Sequence, residues 1–221
     1  MDLPEGFHKE VIEARENVIS NTNTIEPKVS TSPLKPGGAN FKTNVLIQAS
    51  PSKLIYKPSI GAAIFSFIFL AVGLGVLFYG IFPLFQDNSS SDSINWFLVI
   101  FGLIFAGAGG FMFYIFYKPR VFDKQQGLYY TSYAFKGHQS RRNQSEDYLP
   151  LQSIVAIQII GEHVKSDDGS YKSFELNLVL DDASRRNVVD HGSLKSIIND
   201  AEMLSEFLNI PIWHAGSINN L

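Results

Sequence analysis

Two stretches without a single ionisable side chain constrain this chain more than anything else in it. From Pro58 to Gln86, and again from Trp96 to Tyr117, there is no Asp, Glu, Lys, Arg or His, and 12 of the 18 phenylalanines lie between Ile60 and Tyr117. The first run, Ile60 to Phe85, is 26 residues long, which at ~1.5 Å per residue gives roughly 39 Å of helix. The hydrocarbon core of a bilayer is ~30 Å thick, so such a helix spans it with tilt. Sixteen of its residues are Leu, Ile, Phe or Val, which favour the bilayer interior enough to outweigh the glycines. The second run, Asn95 to Tyr117, carries Trp96 at one end and Tyr114 and Tyr117 at the other, the side chains that anchor helices at membrane interfaces. The sequence therefore predicts a two-helix transmembrane hairpin over residues 58–117, with spans at 60–85 and 95–117.

Charge sets the expected orientation. Lys53 and Lys57 precede the first span, and Lys118, Arg120 and Lys124 follow the second, whereas Gln86 to Ile94 holds Asp87 and Asp92 and no cation. By the positive-inside rule both termini are cytoplasmic and the short Ser-rich loop is not. The first 40 residues hold no apolar run long enough for a signal peptide, so the first span directs insertion.

Small residues recur every four positions: Ala71 and Gly75 in the first span, Gly102, Ala106 and Gly110 in the second. Such ladders allow helices to approach closely in lipid. They are read as packing the two spans together, with a homo-oligomer seam as the alternative. Transport is disfavoured, because ion pathways need intramembrane charges or broken helices.

Outside the spans the periods change. Phe7, Val11, Ala14 and Val18 follow helical spacing and predict an amphipathic helix over 1–19. Residues 20–40, rich in Ser, Thr, Asn, Pro and Gly, read as a flexible linker. Phe41 to Ala49, with Phe41, Thr43, Val45 and Ile47 on one face, and Leu54 to Tyr56 read as a strand pair ahead of the spans, within 41–57, that packs with the later β-domain. Beyond the second span, strands are predicted at Pro119 to Phe122, Leu128 to Phe135, Tyr148 to Glu162, Tyr171 to Leu180 and Arg185 to Asp190. The joints at Asp167-Asp168-Gly169 and Asp181 to Ser184 have turn chemistry. Leu194, Ile197, Ile198, Ala201, Leu204 and Leu208 then form one helical stripe, with Ser193 as N-cap and Pro211 limiting extension. The fold class is a membrane helical hairpin plus an α+β domain, an antiparallel sheet or barrel of five to seven strands closed by a helix, with the cytoplasmic part at 118–221.

Seven strands followed by one amphipathic helix resembles the pleckstrin-homology (PH) fold, and a two-span hairpin ahead of such strands is similar to bacterial membrane proteins that carry PH-like domains. The resemblance runs by element order from about Phe41 to Leu208. It departs from the family in placing two strands before the spans and five after, which makes the hairpin an insertion within the β-domain. If residues 41–56 do not pair with the later strands, a five-stranded sheet plus helix remains. The resemblance implies a scaffold for lipid head groups, peptides or membrane subunits.

Several chemistries are set aside. Without cysteine there is no disulfide framework, thiol nucleophile or Cys-ligated metal. A net charge of -3 excludes a general nucleic-acid binder. His8, His138, His163, His191 and His214 are not at metal-ligand spacing, so no metal or other cofactor is expected. Asp190-His191-Gly192-Ser193 places acid, base and hydroxyl in sequence, yet a triad is a matter of spatial geometry and Ser193 already has a use as a cap. One cluster carries a binding expectation. Lys136, His138, Arg141 and Arg142 make a basic loop that, facing a bilayer, gains ~1 kcal/mol per cation from anionic head groups. Glu146 and Asp147 follow closely, and the chain beyond Tyr117 has 11 basic and 13 acidic residues, so a solvated hairpin is the competing reading. The expected function is a non-enzymatic membrane scaffold or regulator that binds lipid or an unidentified protein. The alternative is a toxin-neutralising immunity protein, or an accessory subunit of a membrane complex, acting through its hairpin.

Overall fold

The computed structural model describes residues 25–85, 94–131, 133, 147–166 and 169–215. The predicted N-terminal helix over 1–19 lies outside them.

β1 (Asn44–Ser50) turns through Pro51 and Ser52 into β2 (Lys53–Pro58), with which it pairs antiparallel. One residue later the chain is helical. Ser59 keeps an extended backbone, and its hydroxyl accepts from the Ala62 N–H at 3.1 Å, which starts helix α1 (Ile60–Ile81). A 3-10 turn at Phe82–Phe85, containing Pro83, ends it. Helix α2 (Trp96–Phe116) is capped by Asn95, whose side-chain oxygen accepts from Leu98 N–H at 3.2 Å. Four residues after α2 begins β3 (Arg120–Asp123), which pairs antiparallel with β2 through Leu54 opposite Phe122 and Tyr56 opposite Arg120. The apolar hairpin is therefore inserted between two neighbouring strands of one sheet.

β4 (Leu128–Tyr130) and β5 (Tyr148–Pro150) complete that sheet in the order β1-β2-β3-β4-β5. The sequence predicts one strand from Tyr148 to Glu162. The structure breaks it at Pro150, which has no N–H to continue a ladder, and a 3-10 turn at Leu151–Ser153 leads the chain into a second sheet. There β6 (Ile154–Ser166), β7 (Gly169–Leu180) and β8 (Arg185–His191) form an antiparallel meander. Helix α3 (Leu194–Leu208) follows, with Ser193 accepting from Ser196 N–H at its start and Asn209 in the left-handed conformation (φ 57°) at its end. A further strand, β9 (Ile212–Ala215), pairs in parallel with β6 and gives the order β8-β7-β6-β9. The described strands thus number nine against the seven expected.

Both sheets and α3 share one core. Leu46, Leu54, Tyr56, Phe122 and Tyr129 come from the first sheet, Ile157, Ile159, Leu176 and Leu178 from the second, and Ile197, Ala201 and Leu204 from the helix. In β1 the buried positions are Asn44 and Leu46, the opposite parity to the predicted face of Val45 and Ile47. The strands before the hairpin are part of this core, through Leu46, Leu54 and Tyr56.

The expected linker over 20–40 is corrected within the described residues. Residues 29–38 lie as a strap across the outer face of the second sheet. Val29 packs with Ala156, Val179 and Trp213. Beyond it the strap is held by its own backbone. Leu34 N–H (2.8 Å) and Lys35 N–H donate to the Glu175 carboxylate, and Gly37 N–H donates to Glu162 at 3.1 Å. Ser30 C=O accepts from Gln158, Ser32 C=O from Arg185 and Gly38 C=O from Tyr171. A Cβ at Gly38 would stand 2.4 Å from Ser173 Oγ, which would have to turn aside.

Candidate functional site

The root of the apolar hairpin is laced to the β-domain from several directions. Ser59, which opens α1, donates from its backbone N–H to Thr43 C=O at 2.9 Å and from its hydroxyl to Lys42 C=O at 2.6 Å. Asn44 donates to Phe116 C=O at the end of α2 (3.1 Å) and accepts from Arg120 (3.2 Å). The ring of Phe41 meets Phe116 edge-on with centroids 6.4 Å apart. Residues 41–44 thus bind the first turn of one helix to the last turn of the other.

Two more contacts arrive from the chain between β4 and β5. Tyr133 stacks on Tyr114 (5.6 Å), and its hydroxyl donates to Tyr114 C=O. Asp147 accepts from Thr131 Oγ1 at 3.1 Å and lies 3.6 Å from Lys118 Nζ. Both flanks of the segment 134–146 are therefore fastened to the end of α2. Phe41, Tyr114, Tyr117 and Tyr133 all remain exposed. The basic residues Lys136, His138, Arg141 and Arg142 fall within that segment and lie outside the described residues.

The helix seam differs from the predicted ladder. Its buried positions are Ala62, Ser66, Gly73 and Gly80 on α1, and Val99, Gly102 and Gly109 on α2. Gly73 meets the backbone of Ala106, Gly102 that of Leu77, and Gly109 that of Leu70. Gly102 and Ala106 are thus in the seam, whereas Ala71, Gly75 and Gly110 face outward, with open space where a Cβ would stand at Gly75 and Gly110. The reason lies in the period. Ser66, Gly73 and Gly80 are spaced by seven, as are Gly102 and Gly109, and a seven-residue repeat keeps one seam in register along two helices. A four-residue repeat drifts away from it.

His191 is fully buried, and its Nε2 lies 3.4 Å from Asp200 on α3. Its nearest acid in sequence, Asp190, instead accepts from Asn187 at 2.8 Å, and Ser193 caps α3. The sequential acid, base and hydroxyl are therefore dispersed. Tyr56, from β2, is buried beside this pair. Burial first, and then the negative charge of Asp200, holds its phenol well above the usual tyrosine range. Asp200 is a residue that sequence reasoning missed, although an acid between Ile197 and Ala201 on the apolar stripe is itself a signal. Glu175 was missed because it alternates with Phe174 and Leu176 as an ordinary outward-facing strand residue does. It is 1% exposed beneath the strap.

Asp190 lies directly opposite Glu175 in the β7–β8 ladder. Burial holds its carboxyl above the usual range, and the Glu175 charge adds to the shift while the Asn187 hydrogen bond opposes it. Among the described residues no group of three or more His, Asp or Glu is placed to hold a metal ion. Comparison of the chain with known protein families, with characterised proteins and with solved structures finds no match.

Proposed function

We propose that this chain is an integral membrane protein that holds a PH-like β-domain against the cytoplasmic face of a bacterial plasma membrane, where the domain binds anionic lipid head groups or a protein partner. The observation that carries the reading is the insertion of two long apolar helices between β2 and β3. Helices of 22 and 21 residues, about 33 and 32 Å long, match the hydrocarbon thickness. Their outward side chains, among them Ile60, Phe67, Phe78, Phe97, Ile104 and Phe111, are more than half exposed, a surface that water does not favour. Strands that run directly into the spans leave the β-domain no linker on which to move away. The flanking cations support cytoplasmic termini. Two antiparallel sheets and a helix over one core support the PH-like reading, with β9 as an addition to it.

Head-group binding would come from Lys136, Arg141 and Arg142, because the chain on either side of them is tied to the end of α2. The test uses the full chain. Carbonate washing of native membranes should leave it in the pellet, and its release would end the proposal. The purified chain should retain more phosphatidylglycerol than the K136Q/R141Q/R142Q variant; equal retention would end the head-group reading.

A second reading is favoured by the open space at Gly75 and Gly110. These small residues are not used by the hairpin's own seam and leave room for a foreign helix. That suits an accessory subunit or a toxin-neutralising protein. G75L and G110L should then abolish co-purification of the partner, whereas the charge variant should not.

A further inference from the structure

We infer that Phe41, Tyr114, Tyr117 and Tyr133 form an aromatic seat by which the β-domain itself is embedded in the interfacial layer of the bilayer. This inference rests on the membrane reading and adds to it a surface of the β-domain that the spans alone do not require.

Exposed apolar surface is unevenly placed on the β-domain. Among the described residues outside the segments Ile60–Phe85 and Trp96–Phe116, the exposed large hydrophobic side chains are Leu34, Phe41, Tyr117, Tyr133 and Met203. Three of the five gather at the end of α2, although Phe41 and Tyr133 are 92 positions apart in sequence. The rest of the described β-domain surface offers Leu34 and Met203, each 39% exposed. A water-facing surface has no reason to collect its aromatics at one place.

The rings also share one level. α2 is about as long as the hydrocarbon is thick, so its last turn lies at the bilayer boundary. Phe41 packs on Phe116 and Tyr133 on Tyr114, both in that turn. Both rings therefore stand at the same depth as the end of the span, each carried by β-domain backbone. Amphipathic rings prefer this layer. Lys57 and Lys118, which flank the helix ends, suit the phosphates beside it. The occupant of the surface is thus lipid, continuous with that around the hairpin. A protein covering the same rings is the outcome that the test below would expose.

The full chain contains two tryptophans, Trp96 at the opposite end of α2 and Trp213, packed against Val29 under the strap. Single-tryptophan chains carrying Trp96 alone, Trp213 alone, F41W or Y133W can be reconstituted into phosphatidylcholine vesicles whose lipids are brominated either near the head group or near the chain ends. Head-group-proximal bromine should lower emission at positions 41 and 133 about twofold and more than chain-end bromine does, as for an interfacial ring. Trp213 should be unaffected. If Trp96 is quenched and both 41 and 133 are not, the seat is refuted while the membrane reading stands. If no position is quenched, the membrane reading itself fails and takes the seat with it. The two positions lie on separate segments, so a folding defect in one variant, seen by circular dichroism, leaves the other to decide.

Discussion

Gly73 offers the sharpest test of how the hairpin is packed. An alanine Cβ at this position would stand 2.1 Å from Ala106 N and 2.7 Å from Ala106 Cα and Phe105 C, all of it backbone that cannot rotate away. Ordinary contact begins near 3.4 Å, so the helices must part by about 1.3 Å at this level (3.4 − 2.1). A radial gap of 0.5–1 Å already forfeits roughly a quarter to a half of each contact, and overpacking of a tight interior costs about 1–3 kcal/mol. Against that, replacing a mid-helix glycine by alanine returns roughly 0.5–1 kcal/mol. G73A should therefore destabilise the hairpin by about 1–2 kcal/mol. G75A, two residues on and in open space, should be neutral or stabilising by up to about 1 kcal/mol. The difference in sign is the measurement: SDS titration of the full chain in mixed micelles, followed by circular dichroism, with the midpoint lower for G73A and unchanged or higher for G75A. Equal losses at both positions would mean that the four-residue ladder, and not the seven-residue seam, carries the contact.

Three further outcomes follow from the β-domain. E175A removes the acceptor for the Leu34 and Lys35 N–H groups of the strap and for the buried Asn177, and the unpaired Asn177 amide alone costs about 1–3 kcal/mol. Trypsin should then cut after Lys28 and Lys42 faster than in the unaltered chain, and E175Q, which keeps an acceptor oxygen, should be intermediate. D190N should raise the melting temperature at neutral pH. Asp190's folded pKa lies above its unfolded value of 3.8, so the native state bears the cost of a buried charge at high pH and sheds it as pH falls through the folded pKa. The D190N advantage should close by pH 3, and an advantage independent of pH would assign the effect to packing. L204A empties a fully buried site shared by α3 and both sheets and should cost about 2–5 kcal/mol by thermal or denaturant unfolding.

Much of this architecture is legible because strong periodicities report it. The first apolar helix begins at Ile60 by composition and by structure, α3 follows its apolar stripe from Leu194 to Leu208, and the cap at Ser193 is where the sequence places it. The strap is not legible in the same way. Ser, Pro and Gly composition signals chain that cannot bury apolar surface, yet beyond Val29 the strap is held by main-chain groups bonded to side chains of the second sheet, the buried Glu175 among them, a mode of binding that leaves most of the strap's own side chains unspecified. β9 escapes because four residues in parallel pairing need a partner supplied by topology and not by pattern. The seam is misread because spacing alone says that helices can approach, while the facing direction depends on how α1 and α2 leave β2 and β3. At the hairpin root, Tyr114 and Tyr117 are visible in the sequence at the end of an apolar run, but Phe41 and Tyr133 join them there only once the chain has folded.

Insertion between paired strands has a mechanical consequence. β2 and β3 are neighbours at the ~4.8 Å strand spacing, and the helices that continue them must diverge toward the 8–10 Å of ordinary helix packing. Glycine and small residues in the seam reduce that divergence by allowing backbones to touch. Any force that spreads α1 from α2 is transmitted to the ladder between Tyr56 and Arg120. Tyr56 in turn adjoins Asp200, the partner of His191, so the same displacement reaches α3 and β8. The buried polar group there, with His191 Nδ1 unpartnered among the described residues, is softer than the apolar core around it, because its partners depend on geometry that a small shift removes. H191F should therefore uncouple the hairpin from α3. In the unaltered chain G73A should raise hydrogen exchange at Ile197 to Leu204 as well as in the helices, whereas with H191F the increase should stay within the hairpin and β2–β3. Exchange that spreads to α3 equally in both backgrounds would show that the coupling does not pass through this site.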